Sequence, residues 1–134
     1  MIHRPDVSVI TIHGKTPQID DSAFVAPGCR IIGDVTIGPE ASIWYNCVLR
    51  ADVSRIVIGA RSNIQDGSVV HCDGAVPGVR EECPTIIGDD VLIGHMAMIE
   101  TSGLSIILQF SKSTDAAAPM HNRRPTVWCF RLAA

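Results

Sequence analysis

Aromatic side chains are nearly missing from this chain: its 134 residues include three Phe, two Trp and one Tyr, or 4%. Yet 46% of the residues are apolar, and the length suffices for one domain with a core of its own. That core must be assembled from Ile, Val, Leu and Ala rather than from stacked rings. No basic run is present and the formal net charge is -3, which argues against nucleic acid, because nothing is available to neutralise phosphates. No window of about 18 apolar residues occurs, so no membrane span is expected. The N-terminus, Met1-Ile-His-Arg-Pro-Asp, has no basic segment followed by an apolar one, and no secretory leader is expected. The five cysteines form an odd set with no C-x-x-C pair. A disulfide framework or thiolate zinc site is therefore not expected, and a reducing cytoplasm suits them.

What the chain does have is a repeat. Ile19, Val25, Ile31, Ile37, Ile43 and Leu49 stand six residues apart. After three extra residues the series resumes at Ile58, Ile64 and Val70, and after eleven more at Ile87, Ile93 and Ile99. A second register two residues earlier is mostly small: Ala23, Cys29, Ala41, Cys47, Ser62, Ser68, Thr85 and Ala97. Glycine follows the aliphatic at Gly38, Gly59, Gly88 and Gly94, where a corner is expected to need freedom in φ. A helix repeats at 3.6 and a strand at 2, so a sustained six fits neither alone. It fits short strands joined by corners, one inward aliphatic per side, three sides to a coil. Successive coils then stack at roughly 4.8 Å. The expected fold is all-β, a parallel β-helix of about four coils: 19-25-31, 37-43-49, 58-64-70 and 87-93-99.

Residues 72–84, with two Pro and two Gly, read as a loop leaving the coil. Beyond Ile99 the series should continue at 105, 111 and 117, but those positions are Ser105, Ser111 and Ala117. The reading is a repeat domain over 1–101 and an irregular, non-repeat tail over 102–134.

Stacking assigns neighbours. Arg50, His71 and Glu100 follow Leu49, Val70 and Ile99 and form one column. Asp66 and His95 each lie two residues past a stacked Ile, so one sits above the other. His71 and His95 fall on different sides of the prism, and a threefold arrangement of prisms would bring them together between subunits. One reading is a divalent metal site there, since imidazole suits zinc and a catalytic site keeps one position for water of lowered pKa. The other is that both histidines are outward polar residues on a solenoid face. Arg50 and Asp52 read as a surface ion pair or as an anion-holding fork. Gln65 and Asp66 read as a polar corner, or as groups orienting a metal-bound water and supporting His95. Asn63 reads as a corner residue. His3, His13 and His121 receive no role.

Together, Arg50-Ala-Asp52, Asn63-Ile-Gln65-Asp66, His71 and Gly94-His95 on a hexapeptide solenoid resemble the γ-class carbonic anhydrases. The match runs from about residue 8 to residue 99. The resemblance implies a left-handed β-helix, a homotrimer, and zinc (or iron or cobalt) held between subunits. It implies reversible hydration of carbon dioxide to bicarbonate by a metal-bound hydroxide. His71 and His95 match metal ligands contributed by adjacent subunits. Gln65 matches the residue that positions the hydroxide, Arg50 and Asp52 the inter-subunit pair, and Asp66 and Asn63 supporting positions. The third ligand of the family is a histidine followed by glycine. Here those positions are Glu100 and Thr101, and Glu100 becomes the candidate third ligand, since His₂Glu zinc sites exist. Ligand, glycine and register are lost at one point, which suggests an aberrant or truncated C-terminus produced by a change of reading frame near codon 100. The alternatives are a hexapeptide acyltransferase, with a histidine base and a coenzyme A groove, and a non-catalytic trimeric scaffold.

Overall fold

A computed structural model of the protein describes residues 2–101 and, for residues 106–108, the backbone. Along this length the chain forms β1 (Ser8–Ile10), β2 (Gln18–Ile19), β3 (Phe24–Val25), β4 (Arg30–Ile37), β5 (Ser42–Ile43) and β6 (Val48–Ile58). It continues with β7 (Asn63–Ile64), β8 (Val69–His71), β9 (Thr85–Ile87), β10 (Leu92–Ile93), β11 (Met98–Ile99) and β12 (Ile106–Leu108). No helix occurs among the described residues, and none is therefore long and apolar enough to cross a membrane.

Every strand pairing is parallel, and each joins positions one rung apart. On the first face Ile19 pairs with Ile37, Ile37 with Ile58, and Ile58 with Ile87. On the second face Val25, Ile43, Ile64 and Ile93 follow one another. On the third face Ile31, Leu49, Val70 and Ile99 do the same. The four rungs expected from the six-residue spacing are therefore present, and β1 adds Val9 below Ile31. The long strands β4 and β6 run through a corner, which joins the first and third faces into one eight-stranded sheet. The second face stays a separate four-stranded sheet.

The repeat positions point into the prism. Ile31, Ile37, Ile43, Leu49, Ile58, Ile64, Val70 and Ile87 are all buried to within 1% of full burial. Each such side chain removed from water contributes about 1.5–3 kcal/mol. The small register two residues earlier is buried as well, only partly at Ala97, and there its polar atoms bridge rungs. Ser62 donates to the Gly88 carbonyl at 2.6 Å while accepting from the Val91 amide at 3.0 Å. Ser68 does the same with Gly94 and Ala97 at 2.8 and 3.1 Å. Below it in the same column, Cys29 and Cys47 donate their thiols to the carbonyls of Trp44 and Gln65 at 2.8 and 3.1 Å. A hydrogen bond with Cys29, together with burial, pushes the Cys47 thiol well above its ordinary value. Cys29, Cys47, Cys72 and Cys83 are all unpaired and buried.

The corners correct one expectation. Gly38, Gly59, Gly88 and Gly94 do not have positive φ. The left-handed residue lies two positions later, at Gly28, Glu40, Asn46, Arg61, Gly67, Asp90 and Met96, with φ between 53° and 83°. At Gly59 the constraint is space: a Cβ there would lie 2.3 Å from the carbonyl carbon of Gly88 on the next rung. The turn thus needs a left-handed residue at one position and a bare backbone at another.

The two insertions leave the prism without disturbing it. Register shifts between Gly33 and Val35, so that Gly33 pairs with Ala51 while Val35 pairs with Ile56, and the three extra residues bulge from β6. The 72–84 segment is a stapled excursion, closed by antiparallel bridges Asp73–Cys83 and Val76–Arg80. Thr101, fully buried, donates to the Cys83 carbonyl at 2.8 Å and accepts from the Asp73 amide at 3.2 Å, tying the ends of that loop together.

In the tail, where the sequence shows no element, β12 pairs with β9 and sets Leu108 opposite Ile87. Leu108 follows Ile99 at the offset that separates Leu49 from Ile58, so the repeat resumes after three extra residues. One aliphatic alone cannot announce such a resumption in sequence. The rest of the 102–134 tail lies outside the described residues.

Candidate metal centre

On the third face, β6 carries Arg50 and Asp52 two residues apart, and period-two alternation puts both on the same side of the strand. Their side chains meet, Arg50 Nη1 lying 2.7 Å from Asp52 Oδ2. His71 closes β8 directly opposite Arg50. Its Nδ1 lies 2.7 Å from the Arg50 carbonyl oxygen. A carbonyl can only accept, so Nδ1 carries the proton and Nε2 keeps its lone pair. The imidazole is largely enclosed, with its side chain 16% exposed, and Asp52 Oδ1 stands 3.7 Å from the same nitrogen. Desolvation pushes the Asp52 carboxyl up. The Arg50 hydrogen bond, a backbone donor and the charge of Arg50 outweigh it, holding this carboxyl below the ordinary aspartate range. Asp52 Oδ1 is buried and has no hydrogen-bond donor among the described residues.

At the corner after the second face, Asp66 sits one rung below His95, where the Met96 amide bonds the Asp66 carbonyl at 3.0 Å. The Asp66 carboxylate reaches up to His95, with Oδ2 3.1 Å from Nδ1. Again Nδ1 is taken and Nε2 is left. Here, however, the ring is open to solvent, its side chain 66% exposed.

On the outer side of the second face, Asn63 pairs in register with Ser42. Asn63 Nδ2 donates to Ser42 Oγ at 2.7 Å, and Gln65 Nε2 donates to Asn63 Oδ1. Gln65 is half-buried and is bound by its amide nitrogen. Ser42 did not figure among the candidate residues of the sequence. Its signal was positional: it lies one rung below Asn63 on the same outward column.

Glu100 is exposed and follows Ile99, which pairs with Val70. It therefore continues the Arg50–His71 column by one rung. The structure brings Arg50, Asp52 and His71 together, pairs Asp66 with His95, and links Asn63 to Gln65. It does not bring the two histidines together. His71 ends a strand of the eight-stranded sheet, while His95 follows a strand of the other. Among the described residues, no group of three His, Cys, Asp or Glu side chains converges on one point.

The donor chemistry nonetheless fits a divalent metal. Both imidazoles have an oxygen acceptor beside Nδ1, the Arg50 carbonyl hydrogen-bonded to His71 and the Asp66 carboxylate at ion-pair distance from His95. Such partners fix the tautomer and ring orientation of metal-ligating histidines and leave Nε2 as the donor.

The chain is similar to several known proteins. Residues 16–51 match the model for the bacterial transferase hexapeptide (six repeats). Gamma carbonic anhydrase 1 of Arabidopsis thaliana mitochondria is 47% identical over 92 residues, covering 69% of this chain and 33% of the relative. A probable carbonic anhydrase of Methanocaldococcus jannaschii is 52% identical over 82 residues, covering 61% of this chain and 47% of the relative. Among solved structures, a hexapeptide transferase family protein from Anaplasma phagocytophilum superposes with a TM-score of 0.61 at 44% identity. That match covers 69% of this chain and 50% of the other. The chain thus spans between a third and a half of the length of these proteins. It belongs to the γ-carbonic-anhydrase-like family of hexapeptide-repeat proteins.

Proposed function

We propose that this protein is a γ-carbonic-anhydrase-like metalloprotein that interconverts carbon dioxide and bicarbonate at a site shared between subunits of a homotrimer. The observation that carries the reading is the pair of imidazoles, each with Nδ1 occupied and Nε2 free, on different faces of one prism. A closed threefold ring is a heterologous assembly, in which one surface of each copy meets a different surface of the next. His71 of one copy would there face His95 of another, with Glu100, one rung above His71, as the third ligand. Zinc is the first choice of ion, iron or cobalt the next. A bound ion of this kind lowers the pKa of a water by several units and so supplies a nucleophilic oxygen at neutral pH.

The chain's own residues do the rest. Gln65, bound through its nitrogen to Asn63, leaves Oε1 to accept a hydrogen bond from the O–H group that attacks carbon dioxide. Asp66 orients His95. Asp52 keeps its charge, and Arg50 offers a guanidinium to the anionic product or to a carboxylate across the interface. The reaction joins water to carbon dioxide and releases one proton with bicarbonate. Four buried, unpaired cysteines suit a cytoplasmic setting.

The match to the bacterial transferase hexapeptide and the likeness to a solved hexapeptide transferase family protein support a second reading, a hexapeptide acyltransferase. Metal stoichiometry and hydratase activity, measured together with acyl-CoA binding, separate the two. The proposal expects about one metal per chain, hydratase activity lost on chelation, and no acyl-CoA binding. A Glu100→His variant should bind metal more tightly. A trimer without stoichiometric metal contradicts the proposal, and unchanged affinity in the variant removes residue 100 from the site.

A further inference from the structure

We infer that Glu100 sets the ion preference of the shared site: its carboxylate admits hard divalent cations such as manganese(II), which a third imidazole would disfavour against zinc. The inference rests on the metal site proposed above and concerns which ions that site accepts.

Glu100 is held in place from both sides. Before it, Ile99 pairs with Val70 and packs against the core. After it, Thr101 is fully buried and is bonded to the Cys83 carbonyl and the Asp73 amide. With two inward neighbours, alternation puts the Glu100 side chain on the outer side, one rung above His71. That residue is exposed, and its carboxylate forms no hydrogen bond or ion pair among the described residues. Arg50, two rungs below in the same column, is already engaged by Asp52. The Glu100 oxygens are therefore uncommitted, on the same outward column as the enclosed histidine.

Donor type decides which ions gain most. Imidazole nitrogen suits zinc, copper, iron and nickel, whereas carboxylate oxygen suits magnesium, calcium and manganese. Two histidines with one carboxylate hold zinc in some sites and iron(II) in others, so this donor set does not single out zinc. A histidine at position 100 would replace an anionic oxygen with a neutral nitrogen and tilt the set toward zinc. The distinction also separates a ligand from a bystander. A negative charge acting without contact would favour every divalent cation alike, but a ligating oxygen changes the ratio between them.

The test is equilibrium titration of the metal-free full chain with manganese(II) and with zinc, each alone and then in competition. Free manganese(II) is read by its electron paramagnetic resonance signal, zinc by metal content, and assembly by sedimentation. The native chain should take up manganese(II) stoichiometrically. Glu100→His should raise the preference for zinc over manganese(II) by roughly tenfold or more. Glu100→Asp, which keeps the carboxylate, should leave that preference near the native value. Glu100→Gln should weaken both ions, manganese(II) the more. A preference unchanged in Glu100→His while both ions still bind overturns the inference and leaves the shared site standing. Zinc uptake without manganese(II) uptake by the native chain overturns the inference as well. A native chain that takes up neither ion defeats the proposed site and the inference with it.

Discussion

His71 and His95 are chemically the same half-ligand in two different settings. His71 is enclosed, held by a backbone carbonyl of the rung below, with an ion pair packed around it. His95 stands at a corner, open to solvent, held by a side-chain carboxylate. The first half-site is complete within one chain and resists change, because no substitution deletes a carbonyl. The second depends on a replaceable residue and on whatever surface comes to cover it. The register explains the asymmetry: His71 lies opposite Arg50 and takes its carbonyl, whereas at the corner the Asp66 carbonyl is already bonded by the Met96 amide and His95 meets the Asp66 carboxylate instead.

The largest effect on the comparison comes from the core beneath the second half-site. Ile64, fully buried, precedes Gln65 and Asp66 and is sandwiched between Ile43 and Ile93. Ile64→Ala should cost about 2–5 kcal/mol in unfolding free energy, measured by denaturant titration. A loss well below that range would mean that the rungs are not packed as described. Next in size is the orienting carboxylate. Asp66→Asn should weaken metal binding about 10- to 100-fold in an equilibrium titration, the range for partners that orient ligating histidines. Asp52→Asn should weaken it much less, because the Arg50 carbonyl rather than Asp52 bonds the His71 Nδ1. Equal losses would erase the proposed difference between the halves.

The smallest effect is on pH dependence. The Asp52 carboxyl is held below its ordinary range, so its contribution to stability is fully present above the unfolded value near 3.9 and disappears as pH falls through the lower folded value. The pair is partly exposed, which limits that contribution to about 1 kcal/mol or less. Unfolding free energies of the native chain and Asp52→Asn should therefore differ slightly at pH 5 and converge only below the ordinary aspartate range. Convergence already at pH 5 would show that the ion pair does not stabilise the fold.

Much of this architecture is legible in the sequence because a period of six ties each inward residue to the ones above and below it. The columns Arg50–His71 and Asp66–His95 follow from counting alone, as does their separation onto different faces. Three things do not follow. The corner glycines suggested a need for positive φ, but Gly59 serves close rung-to-rung approach while Arg61 and Asp90 adopt the left-handed conformation. A motif shows that a glycine is present, not which of its two freedoms is used. The resumption at Leu108 rests on one residue, too few to set a register. Ser42 belonged to no motif, since it meets Asn63 only through the stacking of one rung on the next.

The central claim is that the two half-sites act together only between different copies of the chain. His71→Ala and His95→Ala variants, each purified and then refolded together, test this directly by metal stoichiometry. Each variant alone should bind no stoichiometric metal. In the mixture, random assembly joins an intact His71 to an intact His95 at roughly one interface in four, so about a quarter of the native stoichiometry should return. No recovery in the mixture, or undiminished binding by either variant alone, would contradict the account.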